Sequence, residues 1–200
     1  MAGDRLIIEK FANITDGTVV GVRAPYLLVG GNNQFDMMTD QFFAYDSSIA
    51  APLASVPLWP YTLHYRYCHV CTKCRFLNII FRMPHKCHGN AQNCPSRTHP
   101  IWEMPINELD RRDDPEYDEN LTGCSLVSSC SNIYHKEQFR QLLQLNFDRH
   151  YGTNKAPLSL SFDPSWLISN TGFNDVIDDW MTHVLNTYTD VYFVTELQVM

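Results

Sequence analysis

Cys68, Cys71 and Cys74 fall within seven residues of the stretch YRYCHVCTKCRFLNIIFR, and His64 and His69 stand beside them. Thiolate and imidazole are ligands that zinc accepts, so the C-x2-C-x2-C spacing offers part of a tetrahedral site. A closed structural site takes four ligands, and the fourth would come from His64, His69 or Cys87. In an oxidising compartment the same thiols would tend to pair instead.

A second set of residues stands at the ends of apolar runs. Arg23-Ala24-Pro25-Tyr26 follows the β-branched run GTVVGV at 17–22. An Arg can hold a carboxylate through two hydrogen bonds, and Pro fixes the backbone so that the next amide points in one direction. That is one way to build an oxyanion donor; the plain alternative is that Arg23 ends a strand and Tyr26 packs on the surface. Asp46, in YDSSI, closes the next apolar run, and Asp163 and Trp166 follow the run 156–162 in LSFDPSWL.

The elements that must position these residues alternate. Residues 3–11 read as a short helix with Leu6, Ile7 and Phe11 turned inward, and 17–22 as a buried strand. Residues 33–43 are helical by content after the breaker GGNN, and AYDSSIAAP follows as a short strand. Residues 84–132 carry Pro, Gly, Cys and the charge run ELDRRDDPEYDEN, and read as a long loop region. Phe139, Leu142, Leu143, Phe147 and Tyr151 recur at helical spacing, and APLSLSF at 156–162 reads as a strand. A second helical stripe runs from Phe173 to Tyr188, with Asn170 or Thr171 as its cap, and DVYFVT at 190–195 reads as a buried strand. Helix alternating with apolar strand argues for an α/β protein with a parallel sheet or barrel, whose chemistry sits at the C-terminal ends of the strands.

Composition narrows the function. Two hundred residues is the size of one domain. Fifteen Lys and Arg against 22 Asp and Glu give a net charge of −7, with no basic run, which argues against a nucleic-acid partner. No apolar run approaches the roughly 20 residues that span a bilayer, so no membrane partner is expected. The N-terminus lacks the apolar stretch of a secretory signal, because Glu9 and Lys10 cut it short. Yet CHGNAQNC and CSLVSSC close short loops suited to disulfides, and Asn13 and Asn120 head N-x-T sequons. A body of secreted style with no leader in view is the first sign of an incomplete chain.

The segments GVRAPYLLVGGNNQF, YDSSIAAPL, PLWPYTL, FRMPHKCHGN, WEMPINELDRRDDP, SCSNIYHKEQF, NKAPLSLSFDPSWL and DVYFVTELQ together resemble the insect chitin deacetylase-like proteins. These are members of the polysaccharide deacetylase (NodB homology) family. The likeness is collinear over about 1–66 and 81–200. It implies a distorted (β/α) barrel and a secreted, monomeric protein that acts on chitin or chitin oligosaccharide. In the family reaction a divalent metal, usually zinc, polarises an acetamide carbonyl and the attacking water. An Asp is the general base and a His protonates the leaving amine.

Carried onto this sequence, the resemblance implies that Arg23 orients the base carboxylate and that the backbone at Tyr26 supplies an oxyanion donor. It places Asp46 in the fourth motif, with Trp59 and Tyr61, and by extension Trp166, as walls of the sugar subsite. Two departures stand out. The Asp-Asp and H-x3-H motifs that hold the base and the metal ligands are expected upstream of residue 1, so the chain as written carries no metal ligands and an incomplete barrel. Asp163 stands where the acid His is expected, and a carboxylate with a pKa near about 4 protonates an amine poorly at neutral pH. Residues 67–80 break the likeness and read as an insertion, which sets the cysteine cluster apart from the expected cleft. A chitin-binding protein without catalysis, keeping the surface of Trp59, Tyr61, Trp102 and Trp166, is the alternative reading.

Overall fold

Gly21 and Val22 end the β-branched run, and only they pair as a strand. A computed structural model describes residues 2–14, 17–64, 93–111, 123–130 and 133–200. Its backbone divides into two compact units, residues 1–51 with 60–106 and the final Met200, and residues 52–59 with 107–199.

The first unit holds α1 (Ala2–Phe11), β1 (Gly21–Val22), α2 (Gly31–Asp40), β2 (Tyr45–Asp46), β3 (Ala50–Ala51), β4 (Tyr61–Thr62) and β5 (Trp102–Glu103). Four of these strands make one sheet in the order β1-β2-β5-β4, with β1, β2 and β5 parallel and β4 antiparallel to β5. The ladder runs past the short strands, through Ser47 N–H to Val22 O at 2.9 Å and Met104 N–H to Asp46 O at 2.8 Å. Gly21 faces Tyr45 in register, and a Cβ on Gly21 would lie 2.1 Å from the Tyr45 ring. Strand β2 therefore lays an aromatic ring across a position that only glycine leaves open.

Helix α2 begins at Gly31, whose φ of +63° suits glycine, and it buries Gln34, Phe35 and Met38. With Val22, Val29, Phe43, Ile49, Tyr61, Leu63 and Ile101, Phe35 and Met38 make the core of this unit. Two expectations change here. The residues read as a loop region contain β5, the inner strand between β2 and β4, because Ile101 and Glu103 supply buried side chains where the ladder needs a strand. Helix α1 forms, but Leu6, Ile7 and Phe11 are 66%, 56% and 80% exposed, since nothing among the described residues covers that face.

Strand β6 (Ile106–Asn107) carries the chain onward, and the second unit then holds α3 (Lys136–Tyr151), α4 (Pro164–Ser169), α5 (Phe173–Thr187) and α6 (Glu196–Val199). The two stripes at helical spacing meet as expected: Phe139 stacks on Phe173 with ring centroids 4.9 Å apart, and Phe147 meets Trp180 edge-on at 6.0 Å. The cap of α5 is Gly172 at φ +83°, rather than Asn170 or Thr171. A disulfide joins Cys124 to Cys130, as the spacing suggested, and Cys94 in the first unit is also disulfide-bonded.

The expected strands at 156–162 and 190–195 do not form as strands, although Ser161 O accepts from the Val127 amide at 3.1 Å. Leu158, Leu160 and Phe162 still alternate inward onto the core, because alternation decides which side chains turn in. A strand also needs a neighbouring backbone to bond, and pattern alone does not supply one. At 190–195 Tyr192, Phe193 and Val194 are 75%, 42% and 52% exposed. No helix among the described residues is long and apolar enough to cross a membrane.

Candidate functional site

The ends of β1 and β2 are stitched together by side chains. Arg23 follows β1, and its guanidinium donates from Nε to Ser47 O at 2.8 Å and from one Nη to Ser47 Oγ at 2.7 Å. The Ala24 amide donates to Ser48 Oγ at 2.7 Å, and that hydroxyl donates to Asp46 Oδ1 at 2.9 Å. Two of the sequence-selected segments, R-A-P-Y and Y-D-S-S, are thus one hydrogen-bonded unit.

Tyr26 lies beyond this tie. Its ring is 94% exposed, and its backbone and that of Leu27 both take φ of +55°. Left-handed backbone at residues with a Cβ costs roughly 1–2 kcal/mol each, and such outliers gather at functional turns. The amides of Leu27 and Leu28 close onto Ala24 O and Pro25 O at 3.0 and 3.1 Å. Pro25 thus opens a tight turn at the strand end, with Tyr26 at its tip.

Asp46 is fully buried at the end of β2. It accepts from Gln34 Nε2 at 2.8 Å, from the Ser48 amide at 2.9 Å and from the Ser48 hydroxyl. Burial pushes its carboxyl up to about 6, against hydrogen bonds from Ser48, Glu103 and Gln34 that favour the ionised form. Tyr61 is only 5% exposed and sits in the core of the first unit, on β4 opposite Glu103.

The other selected residues lie in the second unit. Asp163 caps α4: it accepts from the Ser165 amide at 2.8 Å and from the Ser165 hydroxyl at 2.6 Å, and these bonds hold its carboxyl below the usual carboxylate range. A carboxylate held ionised in that way is still less able to donate a proton than an ordinary one. Trp166 is half-buried, its ring edge-on to Phe139 at 5.5 Å and to Phe173 at 5.2 Å. Trp59 is 51% exposed, with its indole N–H donating to Asn154 O at 3.1 Å, and Asn154 in turn donates to Pro57 O at 2.7 Å. Of the three aromatic residues assigned to the sugar subsite, Trp59 is the one whose ring is both open and anchored.

Among the described residues, no three His, Cys, Asp or Glu side chains are placed to hold a metal ion. The Asp46 carboxyl at the end of β2 is enclosed by donors from Gln34 and Ser48, which does not fit a metal site. Of the thiolate-imidazole cluster, His64 is described and exposed, while His69, Cys68, Cys71, Cys74 and Cys87 lie outside the described residues, as do the sequon at Asn120 and residues 67–80.

All 200 residues align at 54% identity with chitin deacetylase 1 of Bombyx mori. The chain is chitin deacetylase-like. Chitin deacetylase 8 of Bombyx mori is 27% identical over 96% of the chain. No family model matches. The chain spans 34% and 45% of these two deacetylases, so it corresponds to less than half of either.

Within this deacetylase-like chain, sequence reasoning passed over Gln34, Ser47, Ser48 and Glu103, the residues that hold the selected ones in place. One signal was available for Glu103: it is a lone carboxyl inside the apolar run IWEMPI. A charged residue in such a run stays buried only with partners. For Ser48 no such signal exists, since serine is equally at home in a turn.

Proposed function

We propose that the chain supplies part of the cleft of a chitin deacetylase: hydrolysis of the N-acetyl groups of N-acetylglucosamine polymers, with Arg23, the Tyr26 amide and Asp46 as its contribution. The likeness to chitin deacetylase 1 along the full chain carries this reading. The tie between the R-A-P-Y and D-S-S segments supports it, because it brings a guanidinium and a turn amide to the ends of neighbouring parallel strands. On this reading β1, β2 and β5 are pieces of a distorted (β/α) barrel, residues 1–200 belong to a catalytic domain whose N-terminal strands are missing and which carries an insertion at 67–80, and the protein is secreted, glycosylated and monomeric. Turnover needs a base and a divalent metal, zinc in the resembling family, from residues that this sequence does not match. The chain by itself is therefore impaired. The test is acetate release from chitin oligosaccharides by the purified chain with and without added zinc: release with stoichiometric zinc bound overturns the impairment.

The open, anchored indole of Trp59 favours a second reading, a chitin-binding protein without catalysis. Retention of the chain on colloidal chitin tests it. Retention no greater than that of Trp59→Ala sinks it.

A further inference from the structure

Trp59 stands at the end of the strap 52–59, which forms neither helix nor strand. Side chains of the second unit hold that strap instead. Arg149 donates from one Nη to Ala54 O at 2.9 Å, and Asn107 accepts from the Leu58 amide at 2.8 Å and donates to Leu58 O at 3.0 Å. Asn154 makes the last of these ties: its Nδ2 donates to Pro57 O at 2.7 Å, while its own backbone O accepts the Trp59 indole N–H at 3.1 Å. One residue therefore grips both the strap at Pro57 and the indole at its end.

Asn154 is itself held by the turn that follows α3. Its Oδ1 accepts from the Ala156 amide at 3.1 Å. Pro57 O can only accept and the Ala156 N–H can only donate, so the side-chain amide has one orientation and cannot flip. Between them Lys155 takes a φ of +56°, a left-handed backbone that a residue with a Cβ rarely adopts. The Lys155 amide donates to His150 O at 2.9 Å, and His150 Nδ1 lies 2.8 Å from Ala156 O, so the turn is pinned on both sides. Strained backbone persists where its surroundings over-determine it, and such places gather at binding sites. Here the carbonyl fixed at the start of the strained turn is the one that receives the indole.

Because its N–H is engaged, the half-exposed Trp59 offers a ligand the face of its ring rather than a donor. Stacking on a face gains most when the ring is already still, since ordering a mobile side chain at the moment of binding costs affinity. We propose that Asn154 is a positioning residue for sugar binding. Its side-chain amide locks the strap and its own carbonyl, and so presents the Trp59 indole preformed to a pyranose ring of chitin. The inference rests on the reading of the chain as chitin-binding.

NMR relaxation of the indole N–H groups tests the positioning, with the Trp59 signal identified by its loss in Trp59→Phe. The Trp59 indole should be rigid in the native chain and mobile in Asn154→Ala. Trp180, whose indole N–H donates to Gln144 Oε1 at 3.2 Å, should stay rigid in both. Affinity for chitin oligosaccharide should fall about three- to tenfold in Asn154→Ala. In the Trp59→Ala background the same change should alter affinity less than about twofold, a dependence that a merely structural role would not produce. Asn154→Asp keeps the acceptor for the Ala156 amide but loses the donor to Pro57 O, so it should also loosen the indole, and it decides the matter if Asn154→Ala does not fold. An indole equally rigid in native chain and variant, or equal loss of affinity in both backgrounds, overturns the proposal. Oligosaccharide binding by the native chain with unchanged affinity in the variant defeats this proposal alone. A native chain that binds no oligosaccharide sinks the chitin-binding reading and the role of Asn154 with it.

Discussion

Ser48 is bonded twice to Asp46, its amide to Oδ2 and its hydroxyl to Oδ1, each at 2.9 Å. The same hydroxyl accepts from the Ala24 amide. One small side chain therefore satisfies a buried carboxylate and a buried backbone donor on neighbouring strands, and links the turn after β1 to the turn after β2.

Removing that hydroxyl takes the acceptor away from the Ala24 amide, while Asp46 Oδ1 keeps the Gln34 amide as a donor. Unsatisfied buried groups cost about 1–3 kcal/mol. Ser48→Ala is expected to lower the unfolding free energy by about that much, read from denaturant midpoints. Ser48→Thr keeps the hydroxyl and should recover part of the loss.

The contact of Gly21 with Tyr45 predicts a coupled pair. A Cβ at Gly21 would lie 2.1 Å from Tyr45 Cζ, a distance that forces the ring away. Gly21→Ala is expected to destabilise by about 1–3 kcal/mol, the usual cost of overpacking. In the Tyr45→Ala background the same change should cost far less. Equal costs in both backgrounds, measured as a double-mutant cycle, would contradict the contact.

The sequence made some of this architecture legible and concealed the rest for physical reasons. The helices α3 and α5 were readable because Phe139, Phe147, Val176 and Trp180 recur at the period of the element that buries them. The stretch 156–162 showed its inward side chains in advance, but strand pairing is a relation with another backbone, which composition does not encode. Helix α1 was given an inward face from its own pattern, although burial depends on what lies opposite. At the candidate site, Arg23 and Asp46 stood out by chemical type. Ser48 was silent because its importance comes from position, one hydroxyl between two strands, whereas Glu103 showed only as a lone carboxyl in an apolar run, with nothing in the pattern to say that it faces Asp46 in register.

His150 gives the stability of the fold a pH dependence. It is 3% exposed, with Nδ1 against Ala156 O at 2.8 Å, and burial lowers its imidazole from 6.5 to about 4. The unfolded chain then binds the proton more readily, so this contribution is full above about pH 6.5 and is lost as pH falls through about 4. The change corresponds to about 3 kcal/mol at most. His150→Gln should flatten the stability profile across that interval, and an unaltered profile would show that His150 titrates normally.

Trp59 and Trp166 carry different burdens, and one experiment on each separates them. Trp166 packs its ring edge-on against Phe139 and Phe173, so Trp166→Ala removes core contacts and is expected to cost about 3–5 kcal/mol. Trp59 is half exposed, and its one described bond is from the indole N–H to Asn154 O, so Trp59→Ala should cost about 1 kcal/mol. On the chitin-binding reading the order should reverse: Trp59→Ala lowers retention while thermal stability is nearly kept, because an open indole face is what a sugar ring can stack on. Trp59→Phe keeps an aromatic face without the N–H and should retain more chitin binding than Trp59→Ala. If Trp59→Ala bound chitin like the native chain while Trp166→Ala folded normally and bound poorly, the sugar-facing role would belong to Trp166 instead.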